Sequence, residues 1–413
     1  MKLKMKNNIL IYLKNGGAEL DWILPVLYNL KKNNNLYFYF RNDTAFKNLK
    51  RNFELFYLWK NIYKKFYINK KSDKFFFKLI RKIIYKLSLH NKLRKFIYLL
   101  DEKINSASYI EKIFNVKFSK ILCEFDFKTK LLKNFKKKNS FIIRYPSTPK
   151  IFYEDIKNTN TRKESSIDNE CDLLLLSSKY DVSFWKKKFP INKTKVVGFP
   201  KFDTWWINKI QKINKFKKNN YSNKTDKLNI LFAYSSRFEI FKNQRMIEEN
   251  HLREIIETLL SIKPNKTFLK IKMHPRKISQ NVLKIVKSYK NTKIQVSSNH
   301  LYNAGKDCDI FVAEPRSASI LDGLVLKKPV IEIWDSKNQV LYENEKDNTY
   351  QFLRLSKKVR NKSQLYVLLK NLTINKKILN YQLKNFKRIC AQKKISSSIL
   401  ASNLINELKI VNK

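Results

Sequence analysis

Two polar turns in the second half of the sequence carry side chains that could bind a phosphate group. His274, Pro275 and Arg276 follow one apolar run, and the turn at residues 314–319 follows another. An imidazole, a guanidinium group and hydroxyl groups beside a helix N-terminus are all suited to binding phosphate. We therefore predict that the two turns bind one phosphorylated ligand.

The second of these turns leads into a helical pattern and supplies several candidate ligands. The hydroxyls of Ser317 and Ser319 could cap that helix, bind phosphate, or do both. Arg316, like Arg276 in the first turn, could neutralise a departing phosphate or lie on the surface. Asp322 could accept hydrogen bonds from ribose hydroxyls or only stabilise the helix N-terminus.

Three carboxylates are candidates for the general base that an acceptor hydroxyl would need. A glycine turn, Gly16-Gly17, follows the first apolar run of the sequence, and Glu19 and Asp21 stand just after it. We predict that Glu19 is the base, with Asp21 as its rival and Glu314 as a third candidate. The alternative for Glu19 and Asp21 is a carboxylate that stabilises the N-terminus of a helix.

Polar residues that follow other strand-like runs are predicted to reach the same place. Ser147 and Thr148 lie in a loop between two prolines, and Ser235 follows the apolar run at residues 228–233. In an open parallel sheet, ligands bind at the carboxyl ends of the strands. We therefore predict that these three residues and the glycine turn line the acceptor site or the cleft.

Strand-like apolar runs alternate with helical patterns along the whole chain. This alternation is typical of parallel sheets that are covered by helices. We predict an α/β protein with two Rossmann-like domains that face a cleft, followed by a helical C-terminal tail. The predicted segments are a first domain at 1–216 with a basic helical insertion at about 56–115, a linker at 217–227, a second domain at 228–374 and the tail at 375–413.

The composition is strongly basic, with a formal net charge of +53 on 413 residues. The large excess of Lys over Arg, with abundant Asn, Ile, Phe and Tyr, also fits an AT-rich coding sequence without functional meaning. The low share of Arg disfavours a specific nucleic-acid reader. The segment at 56–98 mixes basic and aromatic residues, so it fits either a helix on an anionic membrane surface or an ordinary helical insertion.

The cysteines and histidines do not indicate a metal site. The four cysteines are widely spaced in apolar or helical contexts, and the four histidines form no pair at helical spacing. We therefore expect buried free thiols, no metal and no required cofactor. Free thiols favour the cytoplasm, and no apolar run is long enough to span a bilayer.

Three short stretches, in order, resemble motifs of one transferase superfamily. Residues 197–203 resemble its G-x-P-R-x-D motif, with Lys201 in place of Arg, and residues 272–276 resemble its K-x-H-P motif. Residues 317–331 resemble a serine-containing stretch that is followed by K-P-V-I. The superfamily contains CDP-glycerol glycerophosphotransferases, sialyl- and polysialyltransferases with a His-Pro motif, and capsule or surface-carbohydrate biosynthesis proteins.

This resemblance implies a two-lobed GT-B-type fold and, in many members, a cytidine nucleotide donor whose phosphate contacts the residue matching His274. The glycerophosphotransferases carry a W-H-G-T-P-L-K loop with a His that is thought to be catalytic. The matching residues 144–150 place Pro146 at the position of that His. A sugar transferase therefore fits the sequence better than a glycerophosphotransferase that uses this His.

We predict a glycosyltransferase of surface polysaccharide or glycolipid synthesis, with a CMP- or CDP-linked sugar donor and a glycan or lipid-linked acceptor. The alternatives are a CDP-glycerol or CDP-ribitol phosphotransferase, a nucleotide-sugar epimerase, and a non-catalytic basic protein that binds a membrane surface or nucleic acid. We place the protein in the cytoplasm and leave attachment to the inner face of the cell membrane open.

Overall fold

The structure of the protein is a computed structural model. It describes residues 6–70, 106–125, 130–147, 170–185, 189–213, 227–234, 245–274, 280–289, 293–314, 317–333, 349–390 and 395–408. Within these residues the chain forms two parallel β-sheets, one from residues up to 213 (the first half) and one from residues after 226 (the second half).

The described part of the first half forms a seven-stranded parallel sheet. Its strands are β1 (Asn7–Leu13), β2 (Asn34–Phe40), β3 (Lys65–Ile68), β4 (Lys120–Glu124), β5 (Phe141–Tyr145), β6 (Leu173–Leu176) and β7 (Thr194–Val196). Their order in the sheet is β3-β2-β1-β4-β5-β6-β7. The order therefore reverses between β1 and β4, and this reversal is the position where parallel sheets bind ligands.

Helices connect and cover these strands. They are α1 (Gly17–Leu30), α2 (Asp43–Lys50), α3 (Phe53–Lys60), α4 (Ala107–Phe114), α5 (Lys130–Lys137), α6 (Lys179–Trp185) and α7 (Thr204–Ile213), with short 3-10 turns at Ile191–Lys193 and Pro200–Phe202. β1 is buried from Ile9 onward because α1 and α4 cover opposite faces of the sheet. The central strand is therefore an almost continuous apolar run.

The described part of the second half forms a six-stranded sheet, and its strands are also parallel. The strands are β8 (Leu228–Tyr234), β9 (Thr267–Met273), β10 (Ile294–Ser297), β11 (Ile310–Ala313), β12 (Val330–Glu332) and β13 (Lys357–Lys358). Their order is β10-β9-β8-β11-β12-β13, so the reversal lies between β8 and β11. The turns after β9 and β11 flank this position.

The helices of the second half end with a segment that returns to the first half. They are α8 (Arg245–Ser261), α9 (Gln280–Ser288), α10 (Leu301–Ala304), α11 (Ser319–Val325), α12 (Thr349–Phe352), α13 (Lys362–Lys370), α14 (Leu372–Ile389) and α15 (Ser397–Glu407). Helix α15 packs against α1, and the side-chain amide of Asn29 donates to Ser398 Oγ at 3.2 Å. The two sheets and this helical C-terminal segment confirm the predicted α/β architecture.

The structure differs from the predicted helical insertion at 56–115. Residues 65–68 form β3 at the edge of the first sheet, where the Lys64 N–H donates to the Leu36 carbonyl oxygen at 2.8 Å. Phe, Tyr and Ile in this run favour a strand, and the surrounding lysines conceal the pattern in the sequence. Residues 71–105 of the insertion lie outside the described residues.

The predicted domain boundaries stay predictions, because most of the linker at 217–227 lies outside the described residues. The predicted tail corresponds to α14 and α15, and α14 begins slightly before residue 375. All four cysteines are buried and none forms a disulfide bond, as expected. Among the described helices, none combines the length and apolar character needed to cross a bilayer.

Candidate functional site

The turn after β1 lies at the reversal point of the first sheet and is closely packed. Gly16 has a φ of 77°, and a Cβ atom there would collide with the carbonyl oxygen of Ala45. A Cβ atom on Gly17 would lie 3.1 Å from the carbonyl oxygen of Asn48. Helix α2 therefore leaves too little room for a side chain at either position. The positive φ of Gly16 favours glycine as well.

Glu19 closes this glycine turn. Its carboxylate accepts backbone N–H bonds from Asn15 at 2.9 Å and Gly16 at 3.0 Å, and a longer one from Lys14 at 3.3 Å. Glu19 is fully buried, and its pKa is raised by burial and then by the neighbouring carboxylate of Glu124. A carboxylate enclosed in this way stabilises the turn and has little access to an acceptor hydroxyl.

Glu124 is a second carboxylate at this edge, and the sequence analysis did not single it out. It is the last residue of β4, and its Oε1 accepts a hydrogen bond from the Ser147 hydroxyl after β5. Its Oε2 accepts from the side-chain amide of Asn15 at 3.3 Å. The predicted acceptor-side residue Ser147 therefore lies beside the glycine turn, where Glu124 joins the two loops.

Asp21, the rival base, is engaged in contacts that connect the two halves. Its Oδ1 lies 2.8 Å from His300 Nε2, and its Oδ2 lies 3.5 Å from Lys201 Nζ. Burial alone would raise its pKa, but Lys201 and His300 outweigh burial and lower the pKa of Asp21 to about 2. A carboxylate with so low a pKa is a weak base, which argues against Asp21 in that role.

Lys201 extends these contacts to Asp322 in the second half. Lys201 Nζ lies 2.8 Å from Asp322 Oδ1, and Tyr302 donates its hydroxyl proton to the Lys201 carbonyl oxygen at 2.9 Å. Asp322 lies in α11 and is almost completely buried. Its carboxylate therefore takes part in the contact between the halves, and the ribose contact predicted from the sequence stays a prediction.

The remaining predicted donor residues surround the reversal point of the second sheet. His274 is half-buried directly after β9, and the buried Glu314 directly follows β11. Since β8 alone separates β9 from β11, the two turns are about 10 Å apart. This distance suits one ligand that carries a phosphate and a further polar group.

Ser317 and Ser319 lie together at the start of α11, and their hydroxyl oxygens are 2.7 Å apart. The N-cap residue of α11 is Ala318, which has no side-chain capping bond, so the predicted capping role of the serines is wrong. The backbone of residues 317–319 already turns in a helical sense, which leaves no side chain aimed at the first N–H groups. The pair of hydroxyls is nevertheless placed at the predicted edge of the sheet.

Five further predicted site residues lie outside the described residues: Thr148, Ser235, Pro275, Arg276 and Arg316. Within the described residues, no group of three or more His, Cys, Asp and Glu side chains is arranged to hold a metal ion.

His300 and Glu54 are further residues that sequence reasoning missed. Glu54 Oε2 accepts the backbone N–H of His300 at 3.0 Å, and its Oε1 accepts from the side-chain amide of Asn303 at 2.9 Å. Glu54 belongs to α3 of the first half and is fully buried, an environment that an ionisable side chain rarely occupies without partners. No sequence signal links these residues, because they are far apart along the chain.

Comparison with solved structures shows the same fold in several proteins. The wall teichoic acid polymerase TagF, in a variant soaked with CDPG, is 12% identical with a TM-score of 0.58, covering 97% of this chain and 88% of that chain. UDP-GlcNAc 2-epimerase from Neisseria meningitidis, bound to UDP-GlcNAc, is 11% identical with a TM-score of 0.60, covering 98% and 100%. S. aureus MnaA with UDP is 13% identical with a TM-score of 0.55, covering 98% of each chain.

The TM-scores show that this chain shares a GT-B-type fold with these proteins, as the sequence predicted. At identities this low, the likeness shows the fold alone. A search of curated proteins gave no match. The model of a sequence family described as CDP-Glycerol:Poly(glycerophosphate) glycerophosphotransferase matches residues 26–398, which is most of the chain. The protein therefore belongs to this glycerophosphotransferase family of GT-B-type transferases.

Proposed function

We propose that this protein transfers glycerol phosphate, or a similar alditol phosphate, from a CDP-linked donor to a hydroxyl group of a cell-surface polymer. The observation that carries this proposal is the family match over residues 26–398. It favours the phosphotransferase alternative of the sequence analysis over the glycosyltransferase. The structural likeness to TagF soaked with CDPG is consistent with a donor of this class.

The second half would bind the donor. His274 after β9 and the hydroxyls of Ser317 and Ser319 lie around the reversal point of the second sheet. An imidazole and two hydroxyls can donate hydrogen bonds to the diphosphate, and we keep Arg276 and Arg316 as the predicted neutralising cations.

The first half would present the acceptor to the donor. Lys201 joins Asp21 to Asp322. Asp21 lies two residues after Glu19, and Asp322 lies three residues after Ser319. The contact links the start of α1 to α11, which supports the proposal that the glycine turn and the serine pair share one site. The acceptor oxygen then attacks the phosphorus that bears glycerol, and CMP leaves with the electron pair of the broken P–O bond.

Sugar transfer is the second candidate, and Pro146 favours it. Pro146 is buried at the position where the resembling loop carries a His, so a mechanism that depends on that His is not available here. The structural likeness to MnaA with UDP, and to an epimerase bound to UDP-GlcNAc, is also compatible with a nucleotide sugar.

The experiment is a donor panel with the purified protein. CDP-glycerol, CDP-ribitol, CMP-linked and UDP-linked sugars are each incubated with a short glycerol phosphate oligomer, and released nucleotide and extended oligomer are measured by mass spectrometry. We expect CMP release from a CDP-alditol, reduced about 100-fold in His274→Ala and unchanged in the matched surface variant Lys133→Ala. Transfer from sugar nucleotides alone would overturn the proposal in favour of the second candidate.

We also propose that the protein attaches peripherally to an anionic membrane, where a lipid-linked acceptor would be located. Phe53 and Tyr57 on α3 are about half exposed, with their ring centroids 6.2 Å apart. Lys50, Lys60 and Lys64 are also exposed, and they lie close to this pair along the chain. Aromatic rings and lysines together favour the headgroup region of a membrane with anionic lipids.

A further inference from the structure

We propose that Glu124, acting through the hydroxyl of Ser147, is the general base that deprotonates the acceptor. The inference rests on the proposed function insofar as it requires an acceptor hydroxyl, and it holds for phosphate or sugar transfer alike. It replaces the assignment of Glu19 or Asp21, whose carboxylates are occupied by the glycine turn and by the contact between the halves.

Glu124 lies at the edge of the first sheet where ligands are expected to bind. Glu124 ends β4, directly beside the reversal point between β1 and β4, and it is 7% exposed. Ser147 follows β5, is partly exposed, and donates its hydroxyl proton to Glu124 Oε1. Ser147 therefore lies between the buried carboxylate and the space in front of the sheet edge.

The carboxyl group of Glu19 lies next to that of Glu124. The side-chain amide of Asn15 donates to Glu124 Oε2 at 3.3 Å and to Glu19 Oε1 at 3.4 Å, so the two carboxyl groups are adjacent. Two buried carboxylates in contact do not both ionise easily, and burial together with Glu124 raises the pKa of Glu19. Because Glu19 is enclosed by the glycine turn, Glu124 is the member of the pair that contacts Ser147.

Tyr145 supplies an independent indication that a polar ligand belongs here. Its phenol is completely buried, and its hydroxyl has no hydrogen-bond partner within the described residues. After burial, the charges of Glu19 and Glu124 are the causes that raise the pKa of Tyr145, which places the phenol close to both. Burial of a hydroxyl without a partner is unfavourable, and a ligand oxygen would relieve that cost.

In the proposed step, one proton moves from the acceptor hydroxyl to Glu124 by way of Ser147. The acceptor hydroxyl gives its proton to Ser147 Oγ while Ser147 gives its own proton to Glu124 Oε1. The acceptor oxygen forms the new bond to the transferred group, and the bond between that group and the nucleotide breaks with both electrons leaving on the nucleotide phosphate. Glu124 then returns the proton through Ser147 to water.

The test compares Glu124→Gln, Ser147→Ala and the matched control Glu257→Gln, an exposed glutamate of α8. Each is measured on whichever donor the wild-type protein uses in the donor panel. We expect Glu124→Gln to lower kcat about 100- to 10,000-fold with little change in donor KM. The control should match wild type. The acidic limb of the kcat/KM pH profile should disappear in Glu124→Gln, which a purely structural role would not cause.

The outcomes separate this inference from the proposed function. Wild-type transfer from sugar nucleotides alone overturns the alditol phosphate donor but still tests Glu124 on that reaction. Retention of more than about one-tenth of wild-type kcat by Glu124→Gln overturns the base assignment. Should Glu124→Gln fail to fold, Ser147→Ala decides, since a wild-type kcat and pH profile in that variant would remove the proposed relay.

Discussion

The carboxylate of Asp21 and the imidazole of His300 are joined by a 2.8 Å hydrogen bond, although they belong to different halves of the protein. The backbone N–H of Tyr302 donates to His300 Nδ1 at 3.2 Å, so the ring proton of a neutral imidazole resides on Nε2 and points to Asp21. Lys201 and Asp322 continue the contact on the other side of Asp21. Charged groups thus fix the relative position of the two edges that would hold donor and acceptor.

Lys201→Met tests this contact. The change leaves the buried carboxylate of Asp322 and the partly exposed carboxylate of Asp21 without their shared cation, and breaking a buried ion pair on one side costs about 3–5 kcal/mol. We expect a loss of this size in the free energy of unfolding in urea, with a larger radius of gyration in X-ray scattering as the halves separate.

The matched surface change Lys133→Met should leave both measurements at their wild-type values. Adding Asp322→Asn to Lys201→Met should recover part of the lost stability, because it removes one unpaired charge. A Lys201→Met protein as stable and as compact as wild type would show that the ion pairs do not hold the halves together.

Asp203 is predicted to anchor the C-terminal helix. Its carboxylate accepts from the Ser396 hydroxyl at 2.5 Å and from the backbone N–H groups of Ser397 at 3.0 Å and Ser398 at 2.9 Å. Removal of a helix cap costs about 0.5–2 kcal/mol. Asp203→Ala should therefore destabilise the protein by roughly that amount and speed hydrogen exchange at residues 397–400, whereas the exposed Asp307→Ala should do neither.

The motif at residues 197–203 could be recognised from the sequence, but the contacts that its residues make could not. It was found as a family motif, yet its residues hold the fold together: Gly198 has a φ of 98° and leaves no room for a Cβ beside Ser397. Lys201 pairs with a carboxylate 121 residues away, and Asp203 caps a helix 194 residues away. Such partners depend on how the two sheets pack, which local periodicity does not contain.

The strand and helix pattern was easier to predict, because each central strand is a buried apolar run that ends in a polar turn. His274 and Ser317 were therefore placed correctly at strand ends from local sequence alone. Glu124 was missed because it terminates a strand without any motif around it, and its partners Asn15 and Ser147 lie in the turns after the two neighbouring strands.

Membrane attachment through α3 predicts a separable loss of binding. The double change Phe53→Ser and Tyr57→Ser removes two half-exposed rings, and we expect sedimentation with phosphatidylglycerol vesicles to fall at least about 10-fold while folding is retained. Val367→Ser, which alters an exposed apolar side chain in α13, is the control. Equal sedimentation of all three proteins would move the membrane contact away from α3.

Lys272 should give the stability of the protein a specific pH dependence. It is 7% exposed, and its ammonium group donates to the Met273 carbonyl oxygen at 3.1 Å. Burial lowers the pKa of Lys272 to about 8, although Glu54 and Asp21 oppose the shift. The unfolded protein then holds this proton more tightly than the folded protein, so the contribution of Lys272 to stability rises with pH between about 8 and about 10.5.

Lys272→Met isolates this contribution, because the other titrating groups are common to both proteins. Below about pH 8 the wild type carries the cost of a buried charge, and Lys272→Met does not. The advantage of the variant in the free energy of unfolding should therefore shrink by up to about 3 kcal/mol as the pH is raised to about 10.5. Urea titrations across this range measure it, and a difference between the two proteins that stays constant with pH would mean that the Lys272 proton is bound equally in both states.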